Sequence, residues 1–399
     1  MRFEKIRNSV FIIVFFGALV LVNGLMLFAP KNTEVDFEYR ELASFPKITL
    51  ESLYDGSFQT GFETAYADQF YGRGFLVKWQ TRLDYFLTKY VSYFNQTQNK
   101  LIPVREVSKY NEHYIESPLY YSESLNDVVK QHAIMYNKVA NFMDQPLFIY
   151  KNLLLSEVDW LEGQDYQEAS KIYKETFTST LDDDIYFGEM QINNYDEYYQ
   201  YFYKTDLHHT ADGAYVAYTD LIEMINEVFP QIGHPRSVTQ KVCFEDVYYR
   251  GSYARRTGMY SRATDQICDL IIEGAPQATT YVDGLEKENG DRYAYHNGYG
   301  PGYKDIHHYD AFYGGYAGEI KYDYGENTGI NALFLVDSFS NPMNGWFASH
   351  FDETYIIDLR LNHDFMLSDF LKEHDIDVVA VYLYYDRLYF SDQYLIDIQ

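Results

Sequence analysis

The hydrophobic pattern of this chain opens with an almost unbroken run. Residues Val10 to Ala29 are apolar apart from Asn23 and two glycines, and about 20 such residues at helical rise match a bilayer core of about 30 Å. Arg2, Lys5 and Arg7 precede the run, and Lys31 is the only nearby base after it. That bias predicts a cytoplasmic tail over 1–8, an uncleaved transmembrane signal anchor over 9–29, and a folded region outside the cytoplasm. A cleaved signal peptide is the competing reading. Against it stand the lack of an A-x-A-like site and Pro30 directly after Ala29.

Beyond the run, Lys31 to Tyr39 is polar and reads as a short stalk. Phe62, Tyr66 and Phe70 fall at i,i+4 spacing, so helices are predicted near 58–70 and 75–91, and 30–100 forms a stalk and helical lead-in. A third helix is predicted over 124–142, with Leu125, Val128, Val129, His132, Tyr136, Val139 and Ala140 on one face. Leu147-Phe148-Ile149-Tyr150 is a short apolar run of the kind buried as a strand. A helix over 213–229 turns Ala214, Ala217, Leu221, Met224 and Val228 inward and stops at Pro230. From about 285 to 325 the chain is rich in Gly and Tyr and weakly periodic, which predicts loop or short irregular strands. Strong order returns in the apolar runs 332–336, 355–357 and 378–381, separated by helix-like stretches. Strands alternating with helices predict an α/β domain over 101–399, its parallel sheet covered on both faces.

Charge narrows the range of partners. Thirty-two basic against 59 acidic residues leave a formal charge of −27, which repels nucleic acid and anionic surfaces. Forty-three tyrosines suit carbohydrate stacking or protein contacts, and equally suit ordinary packing with a wet rim. Cys243 and Cys268 are the only cysteines. Outside the cytoplasm they form a disulfide candidate that would close a loop of about 26 residues, worth roughly 3 kcal/mol. Two separate buried thiols are the alternative. No C-x₂-C pair is present to suggest a structural zinc site.

Two short blocks carry candidate chemistry. The run ending at Val336 leads into Asp337-Ser338-Phe339-Ser340-Asn341, placing Ser338 at the carboxyl edge of the sheet, where open α/β folds bind ligands. Most loop serines only cap helices. In Thr205-Asp206-Leu207-His208-His209-Thr210, extended backbone puts residues 206 and 208 on one side. A serine hydroxyl becomes nucleophilic when an imidazole takes its proton and a carboxylate orients that imidazole. Ser338, His208 and Asp206 supply the three parts, although Asp206 could simply cap the following turn. A near copy, Asp305-Ile306-His307-His308, is the rival constellation. Together the two blocks could ligate a metal, but their spacing matches no compact metal signature, and no metal or cofactor is assigned.

These blocks resemble the DHHW family. Thr205-Asp206-x-His208-x-Thr210 with Asp212-Gly213-Ala214-Tyr215 is similar to its Thr-Asp-His-His-Trp-Thr block, and Asp-Ser-Phe-Ser-Asn at 337–341 is similar to its serine block. The likeness extends to Arg40-Glu41-Leu42, Asp68 with Arg73, Gly251-Ser252, and the tail from His350 through Asp358 to Asp377. Leu207 and His209 stand where that family has His and Trp, and Val336 where SGNH enzymes have Gly. The resemblance implies an SGNH-like, flavodoxin-like α/β/α sandwich similar to that of the periplasmic alginate O-acetyltransferases. In it Ser338 is the nucleophile, His208 the base and Asp206 its orienting acid. Backbone donors come from Ser338, with Gly251, Ser252 and Asn341 as further oxyanion candidates. It also implies O-acetylation of a cell-envelope glycan, with a multi-pass membrane acyltransferase as the acetyl donor. A non-catalytic glycan-binding or assembly protein is the alternative.

Overall fold

The computed structural model describes residues 2–28, 34–35, 40–94, 101–104, 107–110, 113–116, 119–153, 155–158, 160, 167–257, 263–275, 277–287, 308–313 and 317–398. The chain divides into two compact units, one of 1–91 with 254–262 and one of 92–253 with 263–399.

The first unit holds helices α1 (Arg2–Phe28), α2 (Ser57–Asp68) and α3 (Arg73–Phe94). Along α1, Val10–Phe16 and Leu19–Leu21 are exposed. Asn23, the polar residue in the apolar run, accepts the Tyr66 hydroxyl at 2.8 Å. Among the described residues no helix is long and apolar enough to cross a membrane. The side chains of 1–8, 22 and 26–41 lie outside the described residues, so the expected anchor and its basic flank fall partly there. The predicted stalk does too, except for Glu34–Val35, which pairs with Arg40–Glu41. The Phe62 and Tyr66 rings stack on α2 at 6.1 Å, Phe70 just beyond its end meets Tyr66 edge-on at 6.4 Å, and Asp68 accepts the Ala43 N–H at 2.9 Å.

The second unit is built on eight strands in one sheet. They are β1 (Leu147–Asn152), β2 (Tyr186–Glu189), β3 (Thr279–Val282), β4 (Leu285–Lys287), β5 (Glu319–Asp323), β6 (Ala332–Val336), β7 (Glu353–Ile357) and β8 (Val378–Tyr384), and they lie in the order β4-β3-β5-β7-β6-β8-β1-β2. Five of them, β7, β6, β8, β1 and β2, run parallel. The sheet as a whole is mixed rather than parallel, because β5, β3 and β4 extend it antiparallel. This extension comes from the weakly periodic Gly/Tyr stretch and its margins, where short, half-exposed strands such as Glu-Ile-Lys-Tyr-Asp in β5 leave little hydrophobic pattern.

Helices α4 (Glu123–Phe142), α5 (Gln167–Thr180), α6 (Ala211–Asn226), α7 (His308–Tyr313), α8 (Asn344–Ala348), α9 (Leu367–Glu373) and α10 (Tyr385–Phe390) surround the sheet. Every residue of β1, β6 and β8 is buried, as two covered faces require. Adjacent side chains show the layering, since neighbours on a strand point to opposite faces. On β1, Tyr150 bonds Asp220 of α6 at 2.7 Å, while Lys151 lies 5.5 Å over the Tyr389 ring of α10. Phe347 of α8 stacks on Phe334 and meets Tyr382 on the α6 face. Phe177 of α5 meets Tyr389 on the other. The result is an α/β/α sandwich. Helix α4 buries Val129, His132, Tyr136 and Val139 of its predicted face together with Ala133, while Val128 and Ala140 are half-buried and Leu125 in the first turn is exposed, and α6 ends at Asn226, short of Pro230.

Candidate active site

Strand β6 delivers Asp337 and Ser338 to the carboxyl edge of the sheet. Asp337 caps a short 3-10 turn over Ser338–Ser340 by accepting the Phe339 N–H at 2.9 Å. Its second oxygen accepts the Tyr384 N–H at 2.9 Å and ties the turn to β8. Burial pushes the Asp337 carboxyl up, against those two hydrogen bonds. The Ser338 N–H makes no hydrogen bond among the described residues.

The segment before α6 brings the other partners. Ser338 Oγ lies 2.9 Å from His208 Nε2, and His208 Nδ1 faces Asp206 Oδ1, which also accepts the His208 N–H at 3.0 Å. A carboxylate on Nδ1 fixes the proton there and leaves Nε2 as the acceptor facing the hydroxyl. Asp206 is 2% exposed. Burial alone would raise its pKa, but the charge of His208, the two His208 hydrogen bonds and the Ser252 N–H outweigh that, so the carboxyl stays well below its ordinary range.

Gly251 and Ser252 serve the acid rather than an oxyanion. The Ser252 N–H donates to Asp206 Oδ2 and the Gly251 N–H to Thr205 Oγ1 at 3.2 Å. Asn341 N–H points back to the Ser338 carbonyl at 3.4 Å, while its side chain lines the cleft beside Ser338. Thr205 also gives its hydroxyl and N–H to Asp265, at 2.6 and 2.9 Å.

Asp265 begins one strand of a ribbon, Val238–Tyr249 against Asp265–Ile272, in which Cys243 and Cys268 face each other and form a disulfide. The two readings left open by the sequence thus resolve to the bridge. It closes a loop with a sequence separation of 25, so a Cys243→Ala/Cys268→Ala protein should lose roughly 3 kcal/mol of stability. Chemical denaturation of the double variant beside wild type checks this. Because Asp265 and Ser252 reach the Thr205–Asp206 turn from this ribbon and its loop, the variant should also lose order at the acid.

Sequence reasoning missed Tyr309 on α7. Its ring stacks on His208 at 4.1 Å and 14°, and its hydroxyl donates to the Ser338 carbonyl at 2.9 Å. The signal was its place directly after the second His-His pair. Asp305, Ile306 and His307 of that duplicate, and the His308 side chain, lie outside the described residues. Among those described, no group of three or more His, Cys, Asp or Glu side chains could hold a metal ion. The Phe339 ring lies 4.7 Å from that of His208, tilted by 46°, and stacks on Tyr384. His209, turned away from Ser338, bonds the Tyr382 hydroxyl at 2.9 Å. Burial, then the charge of His208, lowers its pKa to about 3. It therefore stays neutral and packs as a structural side chain.

The cleft itself runs from Ser338 between Ile320, Val336 and Ile356, with Asn344, Asp358 and Arg360 on its polar side. Arg360 donates Nε to Asp358 at 3.1 and 3.2 Å and Nη2 at 2.5 Å.

No family model matches the sequence, and no curated protein matches it. Solved structures do. A DHHW family protein from Eubacterium siraeum superposes with a TM-score of 0.54 at 17% identity, covering 74% of this chain and 94% of that one. The chain has the fold of a DHHW family protein. Bacillus cereus PatB1 carrying a sulfonyl adduct superposes with a TM-score of 0.58 at 16% identity, covering 75% of this chain and 99% of that one. At such identities the DHHW likeness shows the fold alone, and the chemistry must be argued from the side chains above.

Proposed function

We propose that this chain is a serine-dependent acyl transferase of the cell envelope that moves an acetyl group onto a glycan hydroxyl. The observation that carries the reading is the continuous hydrogen-bonded line from Asp206 through His208 to Ser338 Oγ at 2.9 Å. In the first half-reaction His208 Nε2 takes the Ser338 proton as Oγ attacks the acetyl carbonyl. The donor's alkoxide then leaves with the proton from His208. In the second half His208 deprotonates the acceptor hydroxyl, which attacks acetyl-Ser338, and Ser338 departs with its proton restored. Water in place of the glycan would make the same site an esterase. The sulfonyl adduct on a protein of the same fold supports the reading, since sulfonyl reagents trap activated hydroxyls. An extracytoplasmic location, with a multi-pass membrane acyltransferase supplying acetyl groups, belongs to the proposal. It draws on the apolar run after Arg2, Lys5 and Arg7.

The test treats the full chain with 4-nitrophenyl acetate and, separately, with phenylmethylsulfonyl fluoride. Wild type should turn over the ester, pass acetyl to an added oligosaccharide, and gain one sulfonyl group on Ser338. Ser338→Ala should do none of these. Equal turnover by the two proteins, or an adduct elsewhere, would overturn the reading in favour of a non-catalytic glycan-binding role.

A further inference from the structure

The cleft beside Ser338 contains a polar group that the fold leaves unsatisfied. Asn344, the first residue of α8, is 5% exposed. Its Oδ1 is buried with no hydrogen-bond partner. Its Nδ2 makes no hydrogen bond among the described residues, and the residue lines the same cleft as the nucleophile. An unpaired buried carbonyl costs about 1–3 kcal/mol. A group that costs stability yet holds its place beside a nucleophile fits a functional demand.

Several other polar groups around the cleft are committed elsewhere. Both Asp337 oxygens accept backbone N–H groups, Arg360 is held by Asp358, and the Gly251 and Ser252 N–H groups serve Thr205 and Asp206. Beside Ser338, its own N–H and the side-chain amides of Asn341 and Asn344 remain without a partner among the described residues, and of the two amides only that of Asn344 is buried.

We propose that the Asn344 side chain is a catalytic residue that completes the oxyanion hole with the Ser338 N–H; this rests on the acyl-transfer reading above. As the Ser338 Oγ–carbon bond forms, the carbonyl π pair moves onto the acyl oxygen. The two N–H donors hold that charge until the pair returns and the leaving alkoxide departs with the proton from His208. A preformed donor whose bond strengthens as charge develops lowers the barrier rather than the ground state.

The test measures 4-nitrophenyl acetate turnover and thermal unfolding for the full-length wild type, Asn344→Ala and Asn344→Asp. Both variants should lose about 10²–10³-fold in kcat with KM within about threefold. Asn344→Ala should melt no lower than wild type, since it removes an unpaired acceptor. Asn344→Asp keeps the shape without the N–H donors and decides the question alone if Asn344→Ala fails to fold. With an active wild type, kcat within about threefold in Asn344→Asp, or a loss confined to KM, overturns the inference. An inactive wild type overturns the acyl-transfer reading itself, and this inference with it.

Discussion

Asp206→Asn should reduce acyl turnover on the order of 10⁴-fold while leaving the protein folded. The single asparagine oxygen can replace only one of the two carboxylate oxygens that accept the His208 and Ser252 N–H groups; kept on Ser252, it turns its NH2 toward His208, and the turn loses one backbone bond, worth about 1 kcal/mol. What asparagine cannot do is accept a proton-bearing Nδ1 and balance the charge that His208 gains as it takes the serine proton. The imidazole would then carry its proton on Nε2, facing Ser338 as a donor. Burst kinetics with 4-nitrophenyl acetate check this, and a fall of less than about tenfold would show that the carboxylate is not the orienting group. The same substitution has a signature in acid. The Asp206 pKa lies below its ordinary value in the folded protein. Its contribution to stability is therefore present above the unfolded value of about 3.9 and is lost as pH falls through the folded value. The stability gap between wild type and Asp206→Asn should accordingly narrow below about pH 4.

Gly251→Ala should be nearly as damaging, though it removes no functional group. A methyl carbon at 251 would overlap the Oδ2, Cβ and Cγ atoms of Asp206. Rotating the carboxylate cannot relieve a collision with Cβ, so one of the two backbones must move. A shift of about 1 Å in the acid would cost about 10²-fold in kcat/KM, and the overpacking about 1–3 kcal/mol in stability. Denaturation and ester kinetics on the same preparation measure both. Wild-type values for the two together would mean that the 251–252 segment does not press on the acid.

Much of the second unit was legible because its inner strands are buried on both faces. The runs at 147, 332, 355 and 378 are apolar without alternation, a pattern that few other environments produce. The antiparallel extension was not legible, since β5 alternates Ile320 and Tyr322 with charged residues inside a stretch dominated by Gly and Tyr. At the site, Asp206 and His208 could be paired because extended backbone puts i and i+2 on one side. Ser338 could be placed because it follows a buried strand. The roles of Gly251 and Ser252 were misread as oxyanion donors. Sequence shows that a glycine permits close approach but not which atom approaches. Tyr309 had only its place after the second His-His pair to mark it, and Asn344 had no local pattern at all: one is defined by a stacking partner about a hundred positions away, the other by the lack of any partner.

The strand order has a further consequence, for the timing of assembly. β8 is the last strand of the sheet to leave the ribosome, yet it lies between β6 and β1. Until it arrives, the half of the sheet that carries Ser338 and the half formed by β1 and β2 have no ladder joining them. Local helices can form during synthesis, but these long-range pairings come late. Ser338 and His208 are 130 residues apart, and the Asp337 clamp waits for the Tyr384 N–H. A chain halted before Val378 should therefore be an inert, aggregation-prone intermediate, so that activity appears only in molecules whose synthesis has passed the central strand.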